Sequence, residues 1–351
     1  MTGGAGFIGA NLSVALAERH PDWQITALDN LNRKGSELNL PRLEAAGVRF
    51  QRGDVRSPED LTAADDGLDA LVECSAEPSV MAGSDGDVDY VVRTNLFGAY
   101  HCLELARQAG AYVVFLSTSR VYPFERLNAV AYEDGGERFE LSERQTMAGV
   151  TPAGISEDFE LRGPRTLYGT TKLAGEHLIE EYRAAFGLRA VVDRLGVVAG
   201  PWQMGRVDQG VFAYWALRHY LGRPLAYTGF GGQGKQVRDL LHVDDLADLV
   251  ERQLLDPEGW DGQTLNVGGG RERSLSLREA TDLCVELGGR KVEIGSEPET
   301  RPGDVPVYIS DCSALYERTD WRPRRSARDV LADIFEWLDA NPGVAETIDG
   351  P

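Results

Sequence analysis

"MTGGAGFIGAN" (residues 1–11) decides how this chain is read. Gly3, Gly6 and Gly9 recur at three-residue spacing, and the stretch "FIGANLSVALAERH" (7–20) carries helical periodicity from Phe7 and Ile8 onward. A glycine turn opening a helix lets backbone N–H groups approach a pyrophosphate, and the helix N-terminus adds partial positive charge. Such a turn normally follows a buried strand, yet only Met1 and Thr2 precede it. Losing a central strand would leave two rows of backbone groups unpaired, each costing about 1–3 kcal/mol. A domain stable by about 5–15 kcal/mol does not carry that loss. The expectation is a natural chain that begins about five residues earlier, one short strand's length.

Outward from the turn, short apolar runs alternate with amphipathic stretches. "QITALD" (24–29), "GVRFQRGDV" (47–55), "DALVEC" (69–74), "YVVFLSTS" (112–119) and "LRAVVDRLG" (188–196) read as strands. Residues 88–110 and 168–187 read as helices between them, and helical patterns return at 243–255, 275–288 and 326–340. This alternation predicts an α/β chain with a doubly wound parallel sheet, Rossmann-like. After about residue 195 it loosens into the polar, glycine-rich stretches 200–210 and 229–239, which suit loops closing over a ligand, so a smaller C-terminal substrate-binding lobe is expected. The expected domains are 1–195 for the dinucleotide, with a returning segment near 241–268, and 196–240 with 269–351 for substrate. Residues 124–163 show no clear periodic element and read as a lid or an insertion.

Asp29 ends the second strand, 20 residues after Gly9. A carboxylate there accepts both ribose hydroxyls of NAD and repels the 2′-phosphate of NADP. Arg33 and Lys34 keep NADP as the alternative.

Composition removes several function classes. A formal charge of -20 would repel nucleic-acid phosphates. No apolar run is long enough to span a bilayer, and no leader pattern opens the chain, so a cytoplasmic protein without membrane partner is expected. Cys74, Cys102, Cys284 and Cys312 are widely spaced, as are the five histidines, so neither a disulfide frame nor a metal site is expected.

The chemistry lies in Tyr168-Gly169-Thr170-Thr171-Lys172. Four residues place Tyr168 and Lys172 on one helical face. An ammonium beside a phenol favours the ionised form that a general base needs. Thr118, ending the "LSTS" strand, offers a hydroxyl to the same substrate oxygen.

With these residues in place the chain resembles the extended short-chain dehydrogenases/reductases, in their nucleotide-sugar epimerase and dehydratase branch. The matching pieces are "TGGAGFIG", "LDN", "GDV", "TNLFGAYHCLE", "LSTSRVY", "YGTTK", "QVRDLLHVDD", "LNVGG" and "RPGDV". The resemblance implies a catalytic set of Thr118, Tyr168 and Lys172. It implies NAD held by Gly3, Gly6, Phe7, Ile8, Gly9, Asp29, Asn30, Asp54, Val55, Ser75, Ala76 and Ser117, with Tyr168 and Lys172. It implies a nucleotide-diphosphate sugar touched by Thr118, Ser119, Arg120, Gln203, Asp208 and Gln209, its diphosphate held by the forks of Arg238 and Arg301. The alternative for the two arginines is an ion pair with Asp239 or Asp304. Trp202 and Trp215 shape the pocket or simply pack.

A narrower resemblance, in "LDNLNRKGSELNL", "GISEDF", "GPWQMGRVDQG" and "GKQVRDLLH", is to 2-epimerases of CDP-activated hexoses, and implies inversion at C2 through a transient keto sugar. Departures sharpen this. Dehydratases of the branch follow the threonine with Asp-Glu, and decarboxylases keep a Glu two positions on; here Ser119 and Arg120 follow. Glu73 stands where a histidine is common. The rival readings are a 4-epimerase or a hexuronic acid decarboxylase on the same fold, or an inactive NAD-binding scaffold. The helices at 88–110 and 168–187 pair in dimers of the family, which implies a homo-oligomer, dimer or tetramer; from the residues alone they could equally pack within one chain.

Overall fold

The computed structural model describes residues 1–61, 67–83, 86–205 and 209–348. They form two compact units. The first comprises Met1–Val121, Thr166–Arg194 and Leu246–Leu265. Its sheet runs Arg49–Arg52, Thr26–Asp29, the Met1–Thr2 stub, Ala70–Glu73, Tyr112–Thr118, Ala190–Leu195 and Thr264–Val267. Thr26 pairs with Arg49 and Ala70 with Tyr112, both parallel. Thr2 forms parallel bridges to Leu28 on one side and Glu73 on the other. Its N–H donates to the Val72 carbonyl at 3.1 Å, while the Leu28 N–H donates to the Met1 carbonyl at 2.9 Å. Two residues therefore stand in the central place where the strand order reverses, the position at which doubly wound sheets bind nucleotides.

Every residue of Tyr112–Thr118 and Ala190–Leu195 is buried, as expected of parallel strands covered on both faces. Leu103 and Ala106 from the helix Gly98–Ala109, and Ile179 from Leu167–Phe186, pack with Val113, Phe115 and Val192. Each buried large aliphatic of this kind contributes about 1.5–3 kcal/mol. A second cluster joins Ala5 and Ala10 to Ala27, Leu43 and Val48. The small residues there bring the first helix onto the sheet, since a Cβ on Gly4 would lie 2.6 Å from that of Ala27.

The expected helix over 88–110 is two helices, Val88–Val92 and Gly98–Ala109, joined by a π turn at Arg93–Phe97. A π turn widens the hydrogen-bond spacing to i→i+5 and re-aims its side chains, here Asn95. Periodicity alone does not report such a shift.

The second unit comprises Tyr122–Arg165, Leu195–Asp245 and the chain from Asn266 on. Residues 122–165, expected inside the first domain, group here instead. Residues 124–163, expected to lack regular elements, hold a helix Phe124–Asn128 and two hairpins, Tyr132–Asp134 with Phe139–Leu141 and Val150–Thr151 with Gly154–Ile155. Their strands are two or three residues long, too short for an alternation to register. The Ile155 N–H donates to the Ile309 carbonyl at 2.8 Å and the Asp311 N–H to the Ile155 carbonyl at 2.9 Å. Gly154, at φ 144°, would place a Cβ 2.3 Å from the Ile309 oxygen, so only glycine permits this seam. The segment is stitched into its unit, which favours an insertion over a free lid. The unit's main sheet centres on Val237–His242, parallel to Val197–Ala199 and Val307–Tyr308 and antiparallel to Ser274–Ser276.

One buried charge in the first unit has a measurable consequence. Asp193 is fully buried, and one oxygen accepts from Gln253 Nε2 at 2.9 Å while the other has no partner among the described residues. Burial pushes its carboxyl from 3.8 up to about 7, opposed by the Gln253 bond. Between those values the folded chain holds a proton that the unfolded chain has released, so stability falls as pH rises through this window. Asp193→Asn is expected to remove that slope and stabilise the protein at pH 8 by on the order of 1–3 kcal/mol. Urea unfolding at several pH values checks this; an unchanged slope would show that Asp193 is not its source.

Candidate active site

The glycine turn is built by close approach. Gly3 sits at φ 59°, and a Cβ on it would lie 2.8 Å from the Cys74 carbonyl oxygen. A Cβ on Gly9 would lie 2.2 Å from the Gly3 oxygen and 2.8 Å from Gly4 Cα. Gly6 caps the helix Phe7–Arg19 in extended conformation, with no side-chain cap and no acidic residue in the first turn. The amides at Phe7 and Ile8 thus begin a helix whose N-terminus is not satisfied by a side chain, the cradle that a dinucleotide pyrophosphate requires. These residues fit NAD.

Asp29 does more than await a ribose. Its Oδ2 accepts the Ala5 N–H at 3.1 Å and its Oδ1 the Leu31 N–H at 2.8 Å, so it pins the glycine turn to the strand end. Burial raises its pKa, and these backbone N–H groups pull it back. A carboxylate has about four acceptor sites, so capacity remains for ribose hydroxyls. Asn30 donates to Asp54 at 2.9 Å, and Arg56 grips Asp54 with Nη2 at 2.6 Å. The Arg56 bond, ahead of the opposing burial, holds the Asp54 carboxyl down at about 2. The carbonyl of Val55 meets His101 Nδ1 at 2.8 Å.

Around the candidate catalytic set the packing is equally tight. Tyr168 and Lys172 lie on the helix Leu167–Phe186, whose N-cap Thr166 accepts the Gly169 N–H at 3.2 Å. A Cβ on Gly169 would fall 2.0 Å from the Arg120 carbonyl oxygen, so this helix start rests directly on the turn Ser119–Val121 that follows Thr118. Gly175 lies against the Phe115 ring in the same way, at 2.8 Å. Small residues thereby bring the helix that carries Tyr168 against the Thr118 strand and the turn that follows it. Thr118 is buried, its Oγ1 accepting the Arg120 N–H at 3.2 Å. Among the described residues the Tyr168 hydroxyl has no hydrogen-bond partner.

Lys172 is buried, and its Nζ lies 3.0 Å from Glu73 Oε2 and 4.5 Å from the Phe115 ring centroid. Burial opposes its charge, yet the Glu73 carboxylate, with Tyr168, outweighs that and raises its pKa. Glu73 and Lys172 lie 99 residues apart, so no local spacing in the sequence connects them.

Two further supports went unread. Asn95, in the π turn, accepts the Glu77 N–H at 2.7 Å and donates to the Glu77 carbonyl and to Thr171 Oγ1, fixing the loop that begins at Ser75 and Ala76. The "TNLFG" motif was the only signal for it. Glu176 accepts from Ser117 Oγ at 2.5 Å and from Arg194 Nη2 at 2.7 Å, all three buried.

In the second unit, Gln203 donates to the Val198 carbonyl at 3.0 Å, and the side-chain carbonyls of Gln203 and Gln209 are buried without a partner among the described residues. Asp208 lies outside the described residues. Arg238 donates to the Val237 and Val305 carbonyls, each at 2.7 Å. Asp239, next along the strand, accepts the Gly270 N–H at 3.2 Å. Arg301 makes no side-chain hydrogen bond or ion pair among the described residues. Trp215 packs, stacked on Tyr227 with its Nε1 donating to Thr281; Trp202, at φ 68°, tilts against Trp337.

Residues 1–268 match the NAD dependent epimerase/dehydratase family. Among curated proteins, the chain is 28% identical to the CDP-paratose 2-epimerase of Salmonella typhi over 348 residues, covering 96% of this chain and 98% of that one. It is 29% identical to the dTDP-glucose 4,6-dehydratase of Mycobacterium tuberculosis, covering 97% and 93%. Among solved structures, the UDP-glucose 4-epimerase of Thermus thermophilus in complex with NAD superposes at a TM-score of 0.75 with 28% identity, over 97% and 98%. No helix among the described residues is long and apolar enough to cross a membrane, and no group of them could hold a metal ion.

Proposed function

This chain belongs to the NAD dependent epimerase/dehydratase family, and within it we propose a nucleotide-sugar epimerase that inverts C2 of a CDP-hexose, as a CDP-paratose 2-epimerase does. The observation that carries this is the seating of the helix start that bears Tyr168, at Gly169, on the turn Ser119–Val121 after Thr118, a turn that presents Ser119 and Arg120. A hydroxyl-bearing pair is there for redox chemistry, while the carboxylates that dehydration requires are not.

NAD, when bound, supplies a hydride acceptor that is restored at the end of each turnover. Gly3, Gly6, Gly9 and Asp29 would hold it, together with Asn30, Asp54, Val55, Ser75, Ala76 and Ser117. Tyr168 takes the proton of a sugar hydroxyl and returns it after the sugar has presented its other face. Thr118 donates to the oxygen as it passes between alkoxide and carbonyl. Lys172 keeps positive charge beside the phenol and orients the nicotinamide ribose. Arg238 and Arg301 bind the diphosphate, and Ser119, Arg120, Gln203, Asp208 and Gln209 read sugar hydroxyls. The side-chain carbonyls of Gln203 and Gln209, buried without a partner among the described residues, support that assignment, because a buried acceptor without a partner costs about 1–3 kcal/mol until one arrives. The first unit is read as the NAD domain and the second as the substrate lobe.

Incubation with a panel of CDP- and UDP-sugars, read by NMR, tests the reading. Inversion at C2 of a CDP-hexose is expected. Inversion at C4, or release of carbon dioxide, would transfer the assignment to a 4-epimerase or a decarboxylase. Two accompaniments belong to this proposal. Val88, Phe97, Tyr100 and Phe186 are large, exposed and apolar on the segments named for a dimer, so we read a homo-oligomer; a monomer in sedimentation would end that. Four free thiols accord with a cytoplasmic location, which fractionation checks.

A further inference from the structure

The ion pair of Glu73 with Lys172 is not explained by the chemistry above. Both side chains are 3% exposed, and Nζ and Oε2 are 3.0 Å apart. Glu73 ends the strand Ala70–Glu73 and bridges Thr2, beside the Cys74 carbonyl on which Gly3 of the glycine turn rests. Lys172 lies one helical turn beyond Tyr168. The pair thus joins the strand end under the glycine turn to the helix that carries the phenol.

A buried ammonium without a counter-charge is expensive and tends to lose its proton. The Phe115 ring covers another side of Lys172 Nζ; a ring face attracts a cation but accepts no ordinary hydrogen bond. Glu73 is the group that both neutralises the charge and fixes the direction of the flexible Lys172 stem. It occupies one of three ammonium hydrogens, and two remain for ribose hydroxyls and the phenol side.

We propose that Glu73 is a positioning residue for the coenzyme, acting through Lys172: it holds the ammonium in place and charged so that it can bind the nicotinamide ribose. This rests on the role given to Lys172 in the proposed function. An opposite arrangement, in which Glu73 competes with the ribose for the ammonium, would make NAD binding tighter when the carboxylate is removed.

The test is a double-mutant cycle on NAD affinity, with NAD itself as the probe, in full-length wild type, Glu73→Gln, Lys172→Met and the double variant stripped of coenzyme. Glu73→Gln is expected to weaken NAD by about 10–100-fold, the scale of one lost charge-assisted hydrogen bond to the ribose. In the Lys172→Met background it is expected to change nothing. An equal loss in both backgrounds, no loss at all, or tighter binding on Glu73→Gln would overturn the inference. If Lys172→Met alone leaves NAD affinity unchanged, the Lys172 role in the proposed function falls as well, which separates the two failures. Breaking a buried pair from one side strains folding. Should Glu73→Gln not fold, Glu73→Asp replaces it: weaker NAD binding that vanishes with Lys172→Met supports the inference, and an effect independent of Lys172 contradicts it.

Discussion

Tyr168→Phe is expected to lower turnover by about 10²–10⁴-fold while NAD stays bound. The ring remains, so the packing of the helix start on Ser119–Val121 is unchanged, and Gly169 still meets the Arg120 carbonyl. What disappears is a hydroxyl that is without a partner among the described residues. Turnover comparable to wild type on any sugar found active would remove Tyr168 from the reaction. Loss of both turnover and NAD would instead assign it a structural role.

The second large effect is expected at Gly9. Its absent Cβ would lie 2.2 Å from the Gly3 oxygen and 2.8 Å from Gly4 Cα, both backbone atoms of the turn itself. No rotamer relieves that overlap, so Gly9→Ala must push the helix Phe7–Arg19 away from the strand ends. The amides at the helix start then no longer converge on one anion. NAD affinity is expected to fall by about 100-fold, the scale of about 3 kcal/mol of lost amide–phosphate hydrogen bonding, with stability lowered by about 1–3 kcal/mol for the overpacking. Calorimetric titration and thermal unfolding read the two effects. Unchanged NAD affinity in Gly9→Ala would mean that the turn does not carry the coenzyme.

These two positions were also the easiest to find in the sequence. Glycine spacing and YxxxK are local patterns, because a turn and one helical face are local structures. The strands of the first unit beyond the glycine turn and the helix Leu167–Phe186 were legible too, with burial on both faces giving runs such as "YVVFLSTS". The Glu73–Lys172 and Glu176–Arg194 pairs were not, since they join residues of different elements and leave no periodic trace. Asn95 was hidden by a π turn that interrupts a helix without interrupting its apolar pattern. The hairpins of 124–163 escaped because two- and three-residue strands hold too little alternation, their register being set by partners such as Ile309. At the glycine turn the central place in the sheet is a matter of pairing: Met1 and Thr2 bond to Leu28 and Val72 on either side.

In the proposed reaction hydride leaves and returns at C2 while Tyr168 handles the hydroxyl proton. A CDP-paratose probe deuterated at C2, incubated in ordinary water with the holoenzyme, tests it most directly by NMR. Inverted C2 with the deuterium still attached is expected, since a hydride returned from the coenzyme does not exchange with solvent. Inverted C2 carrying solvent hydrogen, or a probe left unchanged while another carbon of a different nucleotide sugar inverts, would contradict it.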